Sequence, residues 1–519
     1  MLVAKNNQVT LTINETDEVN TPLATFVYSE TIIPTTELPF LSNKKSRVDI
    51  LPPRLSASSS SSLDQLTSTS VINSCISYLM HVFLPVGYPH SVSKDYLGYQ
   101  IYDSIQAFSS SIAGLLSSRA VLQGVGVGDA AASPTSALLL QILQDTSGRI
   151  ATILFAHRLG TALEPECKMY RLAADVFNDI AMILDCLSPL VTPRAARVAV
   201  ISGAGVLRAL CGVAAGSSKA SLSAHFARWG NIGELNAKDS SQETIISLLG
   251  MLAGSIVVSH VTSLPATWIS LIVLLIIHLA TNYRAVRAVQ MTTLNRQRAN
   301  IVFSTIFERD QVPTESTTSL NQHKQQSVPP EALRPDEVAH HERIFERDGI
   351  LRWTAISSSR HSTNQNLGWC RIGVSVQELI SSLPISTNML PDLLKLFSSE
   401  AYIVCLNTLP ASPTTKKSKQ KPRIFIVLKH GCTPTQQLKA WAHALLAART
   451  VLSLKAGYGN EHTMETPETQ ILEVLSCSLA FLNSRFDTYY VSELKRAGWD
   501  LETAALETRP GRRISIVES

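Results

Sequence analysis

Forty consecutive residues, Thr244 to Tyr283, contain no Asp, Glu, Lys or Arg. Charged residues make up 17% of the 519-residue chain, against about 25% in an ordinary soluble domain. Even that thinner supply would put several charges in any window of this length, so the gap is local. Pro265 divides it into Thr244–Leu264 and Ala266–Tyr283. A helix crossing the hydrocarbon core needs about 17–25 residues, and each half reaches that length. Trp268 and Tyr283 lie near the ends of the second half, as interfacial anchors do. Arg284, Arg287, Arg296 and Arg298 follow with no acid among them, the flank expected on a cytoplasmic side. The run therefore reads as a membrane helical hairpin. The competing reading is a buried hairpin in a large soluble helical protein, and the arginine flank favours the first.

The same signal continues upstream in weaker form. Leu122–Gln144 carries only Asp129, Ile150–Leu163 only Arg158, and Arg197–Gly216 only Arg197 and Arg208. Pairs of glycines recur four apart at Gly124/Gly128, Gly212/Gly216 and Gly250/Gly254. Such pairs let helix backbones approach closely in lipid, which favours a packed bundle over isolated anchors. A hydrophobic content of 45% excludes a disordered polyelectrolyte. Eight cysteines in this length exclude a disulfide scaffold, and a net charge of +4 gives no reason to expect a nucleic-acid partner.

The flanks differ in composition. Residues 1–72 read as disordered or weakly structured, with a short strand at Gln8–Ile13 and a serine-rich linker at Ser56–Ser62. Residues 73–300 form the helical membrane domain, and 301–347 read as a linker, in which Val312–Glu342 is rich in Pro, Ser, Thr and Gln. Residues 348–519 read as an α+β domain. In it, the β-branched runs Tyr402–Asn407 and Arg423–Lys429 would pair across a loop carrying Lys416, Lys417, Lys419 and Lys421. Thr433-Pro434-Thr435-Gln436 is a capping box with Pro at the first helical position, opening an amphipathic helix. The fold class is thus mainly α: a polytopic helical membrane bundle followed by a smaller α+β soluble domain, placed in the cytosol by the arginine flank.

Ionisable side chains inside a membrane bundle are costly and face its interior or water. Three groups are candidates for a polar cavity or its gate. Arg171, Asp175, Asn178 and Asp179, with Asp185, fall within roughly 120° of one helix face. Arg171 and Asp175 are spaced for an intrahelical ion pair. Asp145 and Arg149 lie in Leu143–Arg149, which reads first as a polar turn between helices. Lys238, Asp239, Gln242 and Glu243 lie in a polar stretch, 230–244, which reads as a loop with Ser240 or Ser241 capping the next helix. Gly124-Val125-Gly126-Val127-Gly128 lacks the strand before it and the Gly-Lys-Ser/Thr after it that a phosphate loop requires. No Cys/His set has zinc spacing and no nucleophile–base pair is visible. Neither a cofactor, a metal nor an enzymatic role is expected.

Leu84-Pro85-Val86-Gly87-Tyr88-Pro89-His90-Ser91-Val92, followed by Asp95–Gln100 and Asp103-Ser104, resembles the opening of the root UVB-sensitive (RUS) family domain. Gly124–Gly128, Asp145–Arg149, Arg171–Asp175 with Asn178-Asp179, and Ala237–Thr244 are similar to later blocks of that family, as is Phe486–Trp499 near the C-terminus. The resemblance implies a membrane-associated protein linked to UV-B responses, early development, auxin transport and vitamin B6 homeostasis. It implies partnership with another family member or with itself, and it carries no catalytic residues. Three functional readings follow. One is transport or scaffolding within metabolite homeostasis, with the lipid bilayer as partner and the small-molecule ligand open. Another is a membrane-anchored interaction protein without transport. The last is a soluble enzyme or B6-binding protein with an apolar core.

Overall fold

A computed structural model describes residues 3–5, 8–16, 22–34, 42–51, 82–125, 134–310, 330–356, 363–382, 389–407, 421–457 and 468–516. The chain divides into two units, 1–94 with 226–242, and 95–225 with 243–519.

In the first unit, the N-terminal region read as weakly structured contains four strands: β1 (Val3–Lys5), β2 (Gln8–Thr16), β3 (Pro22–Pro34) and β4 (Ser42–Leu51). They pair antiparallel in sequence order. The expected strand at Gln8–Ile13 lies within β2. The serine-rich segment lies outside the described residues. Trp229 lies against Gly87, which has φ +77°. A Cβ there would overlap the indole, and L-residues rarely adopt that backbone conformation.

The protein is mainly helical. Its helical region comprises α1 (Tyr96–Val125), α2 (Pro134–Leu163), α3 (Cys167–Leu187), α4 (Arg194–Phe226), α5 (Ile232–His260) and α6 (Leu264–Ala288). The part of α4 from Ala195, together with α5 and α6, is long and apolar enough to cross a membrane by length and composition. The break between α5 and α6 falls where Pro265 predicts it. Ser263 caps α6, its hydroxyl accepting from the Ala266 N–H at 3.4 Å, and Pro265 occupies the first turn.

Two expected loops are helical instead. Residues 143–149 lie in the middle of α2, because Gly148 is buried against α4 and keeps the helix continuous there: a Cβ on it would come within 3.3 Å of the Ala209 Cβ. The stretch 230–244 is helical from Ile232 onward, so α5 begins twelve residues before the charge-free run. The Ser241 hydroxyl donates to the Ala237 carbonyl inside the helix and caps nothing. Of the glycine pairs, Gly250 and Gly254 meet α1 closely, at the Phe108 carbonyl, Ser111, Ile112 and Leu115, whereas Gly212 and Gly216 have nothing near them. Gly128 lies outside the described residues.

The C-terminal region is a small mixed sheet with helices. β5 (Ile350–Ala355), β6 (Thr363–Ile372), β8 (Arg423–Lys429) and β7 (Tyr402–Asn407) lie in that order, and β9 (Arg513–Ile514) pairs with the end of β8. The expected pairing of 402–407 with 423–429 is antiparallel β7–β8. The lysines at 416, 417 and 419 lie outside the described residues. Thr433 and Gln436 form their reciprocal cap at 2.9 and 3.3 Å, opening α11 (Pro434–Gly457) after the short helices α7 (Arg296–Arg309), α8 (Pro335–Ala339), α9 (Val376–Ser382) and α10 (Met389–Leu396). α12 (Glu468–Arg485) and α13 (Val491–Arg496) follow. The stretch 301–347, expected to be a linker, supplies core: Ile301, Val302, Phe303, Ile306 and Phe307 of α7 are buried, with Val338 of α8. Phe303 stacks on Phe486 and Phe307 on Trp353. The apolar spacing of α7 thus belongs to the C-terminal core. Residues 311–329 of that stretch lie outside the described residues.

Candidate functional site

Helix α6 separates its side chains into two faces. Thr267, Leu271, Leu275, His278, Asn282 and Ala285 recur every three or four residues and are buried, which is one stripe of a helix. Ile269 and Ile276, on the other side, are 67% and 62% exposed, while His278 is 1% exposed. The polar side chains of this helix therefore point inward and its isoleucines outward. α3 complements it: its Asp175, Asp179 and Asp185 are all buried. α1, α3 and α6 pack on one another and enclose these groups.

Arg171 is the hub at one end. Its guanidinium donates to Asp103 of α1 at 2.7 Å, to Asp175 one turn along α3 at 3.1 Å, and to the Tyr99 hydroxyl at 3.2 Å. Asp175 also accepts from the side-chain amides of Gln106 and Asn282. His278 lies between two acids, with Nδ1 2.7 Å from Asp179 and Nε2 3.5 Å from Asp175. Further along α3, Asp185 accepts from the Ser117 hydroxyl at 2.8 Å and pairs with Arg208 of α4. A cavity of about 490 Å³ opens there, lined by Ser110, Ser117, Asn178, Met182, Asp185 and Arg208 among others. Asp179 Oδ2, Asp185 Oδ1 and Asn282 Oδ1 are buried without a hydrogen-bond partner among the described residues. Buried acceptors without donors are uncommon, and Asp185 is also one of the residues lining the cavity.

The ten sequence-nominated residues separate into three places. Arg171, Asp175 and Asp179 enter the buried network, and Asn178 lines the cavity. Asp145 and Arg149 are exposed on α2, away from both. The third group belongs to the first turns of α5. Lys238 donates to the Val82 carbonyl at 2.9 Å, Gln242 to the Phe83 carbonyl at 2.6 Å, and Glu234 accepts from the Val86 N–H at 2.7 Å. These residues hold the backbone of 82–86. Asp239 is buried, and Glu243 pairs with Lys219 at 2.8 Å. Tyr99, Asp103, Gln106, Arg208, His278 and Asn282 were not nominated. The available signal was His278 and Asn282, two polar residues four apart inside an apolar run.

A second ion cluster joins the helical region to the C-terminal sheet. Glu342 binds Lys168 of α3 and Arg298 of α7. Arg287 donates to the carbonyls of Glu342 and His340, and Arg296 bridges Glu166 and Asp348. Burial pushes the Glu342 carboxyl up, but Lys168 and Arg298 outweigh it and hold it below the usual carboxylate range. For Glu166 burial prevails over Arg296, and its carboxyl is raised. Three of the four arginines after the apolar run are thus engaged with protein, leaving Arg284 exposed.

Comparison with known proteins bears on this arrangement. Residues 69–310 match a family model described as a vitamin B6 photo-protection and homoeostasis domain, and residues 365–510 match one described as root UVB sensitive protein, C-terminal. The chain is 43% identical over 246 residues to RUS family member 1 of Dictyostelium discoideum, covering 46% of each. The match thus spans just under half of that relative's length. Root UVB sensitive 3 of Arabidopsis thaliana is 32% identical over 395 residues, 75% of this chain and 79% of that one. Root UVB sensitive 2, chloroplastic, from the same plant is 24% identical over 312 residues, 56% of this chain and 71% of that one. No solved structure matches the chain.

Proposed function

The chain belongs to the root UVB-sensitive family, and from that premise we propose that it is a membrane-spanning, non-enzymatic protein that moves a small polar solute in a vitamin B6-linked homoeostasis process. One observation carries the reading, the inverted polarity of the helical region. Its outer faces are exposed isoleucine and leucine, and its interior holds Arg171, Asp175, Asp179, Asp185 and His278. In water that arrangement would be doubly unfavourable, leaving apolar surface wet and charges dry. In a bilayer the outer faces are solvated by lipid, and intramembrane ionisable groups are a default mark of a solute or ion pathway.

The cavity beside Asn178, Asp185 and Arg208 is the solute site on this reading. Its volume suits a small molecule. Arg208 offers donors, the Asp185 carboxylate accepts, and serines Ser110 and Ser117 do either. The vitamin B6 link comes from the description of the matching domain. On this reading the C-terminal region faces the cytosol, as the arginine flank after the apolar run favours.

Metabolite profiling tests the reading. A strain lacking the protein should show altered B6 vitamer pools, restored by the wild-type chain and not by Asp185→Asn expressed at the same level. Full restoration by Asp185→Asn, or release of the protein by alkaline carbonate, would reject it.

A further inference from the structure

We infer that Asp175, His278 and Asp179 form an exchangeable proton site and that the proton is the ion coupled to solute movement; the coupling rests on the transport reading, the site itself does not. Both ring nitrogens of His278 face carboxylates, Nδ1 at 2.7 Å from Asp179 and Nε2 at 3.5 Å from Asp175. A neutral imidazole carries one N–H and one lone pair. It can donate to only one of the two acids, its lone pair then accepting from the Gln106 amide, 3.3 Å from Nε2. A second proton on the ring lets it donate to both.

The charges around the ring make the same demand. α3 contributes Arg171, Asp175 and Asp179, and α1 contributes Asp103 with Tyr99 and Gln106. From α4 the Cys211 thiol is within electrostatic reach of both carboxylates. The histidine's own helix adds the neutral Asn282. One guanidinium therefore faces three carboxylates, and a proton on the ring or on an acid reduces the excess. Asp179 Oδ2 and Asn282 Oδ1, both buried, lack donors among the described residues, so the site as described is short of hydrogens and not of acceptors.

A metal ion fits less well. Asp175 already accepts from Arg171, Gln106 and Asn282. Calcium takes about 6–8 oxygen ligands and magnesium an octahedron, and among the described residues no group of three or more His, Cys, Asp or Glu is placed to hold a metal.

The geometry also supplies the deprotonated state. When the Nε2–H bond breaks, the proton passes to water and the nitrogen keeps the electron pair. The amide nitrogen of Gln106, 3.3 Å from Nε2, then donates to that lone pair, where before the ring donated to Asp175. Protonation thus adds a ring contact from α6 to Asp175 beside the one that Asn282 makes, and its loss removes that ring contact, a two-state contact of the kind that a coupled ion biases.

Nitrogen-15 NMR of the full chain in lipid nanodiscs, with labelled histidine, reads the site directly. The His278 signals are assigned by their loss in His278→Gln, or by their displacement in Asp179→Asn if the first variant fails to fold. Between roughly pH 9 and pH 5 the ring should pass from one N–H to two, and Asp179→Asn should move that transition by at least about one pH unit. A ring that keeps one form across the range overturns the site. Proteoliposomes enclosing a pH-sensitive dye test the coupling: an imposed pH gradient should change the dye signal with the wild-type chain and not with His278→Gln. Exchange at His278 with no dye response overturns the coupling while the site stands.

Discussion

Asp175 and Asp145 are both aspartates four residues from an arginine in an apolar stretch, yet the structure gives them opposite surroundings. Asp175 is buried and accepts from three side chains, whereas Asp145 is exposed on α2. Asp175→Asn and Asp179→Asn should reduce complementation to near the level of a strain lacking the protein, with normal protein levels, whereas Asp145→Asn should retain most of it. Equal effects at 145 and 175 would reject the placement of the site. The spacing of Arg171 and Asp175 was enough to anticipate their ion pair, but nothing in the spacing told inward from outward for Asp145. His278 escaped because histidine leaves a run free of formal charge. A second histidine carries a pH prediction. His443 is buried against Tyr402, Ser478 and the Leu475 carbonyl, and burial lowers it to about 3. The unfolded chain, with histidine near 6.5, binds the extra proton first. Stability contributed by the neutral ring is therefore full above about pH 6.5 and declines as pH falls toward about 3. The thermal midpoint of the C-terminal region should fall in that window, and His443→Gln should flatten the dependence in a melting series.

At the scale of elements, close backbone approach decides which helices pair. A Cβ at Gly250 would lie 2.7 Å from the Ser111 side chain and 2.9 Å from the Phe108 carbonyl, whereas one at Gly212 meets nothing. Gly250→Val should therefore separate α5 from α1 and destabilise the protein by about 1–3 kcal/mol. Gly212→Ala should be neutral or slightly stabilising through helix propensity. Thermal denaturation of the two variants in the same detergent makes the comparison. The glycine periodicity was visible in sequence for both pairs, and only packing separates them. Elements were legible where local chemistry agrees with context, as at the Thr433–Gln436 cap and the break at Pro265. They were not legible where turn-forming residues sit inside a helix. Asp145-Thr146-Ser147-Gly148 has turn composition, but burial of Gly148 against α4 overrides it, and Glu234, Lys238 and Gln242 turn a supposed loop into the start of α5 by binding the backbone of 82–86.

The whole molecule depends on buried charge in two places, within the bundle and between the bundle and the C-terminal sheet. Glu342 is the shared acid of Lys168 and Arg298. Glu342→Gln would leave two cations short of their counter-ion and should cost about 3–5 kcal/mol, seen as a lower thermal midpoint. An unchanged midpoint would mean that the two regions are held together by something else. This junction could not be read from sequence, since its members lie up to 174 residues apart. The apolar outer surface, by contrast, was announced by the forty-residue gap in charge. The central claim is that this surface faces lipid while the ionisable network lies inside, and photo-crosslinking in the native membrane tests it most directly. A benzophenone amino acid at Ile256 or Ile276, both 62% exposed, should yield phospholipid adducts by mass spectrometry. Absence of lipid adducts at both positions, in protein expressed at normal levels, would contradict the account.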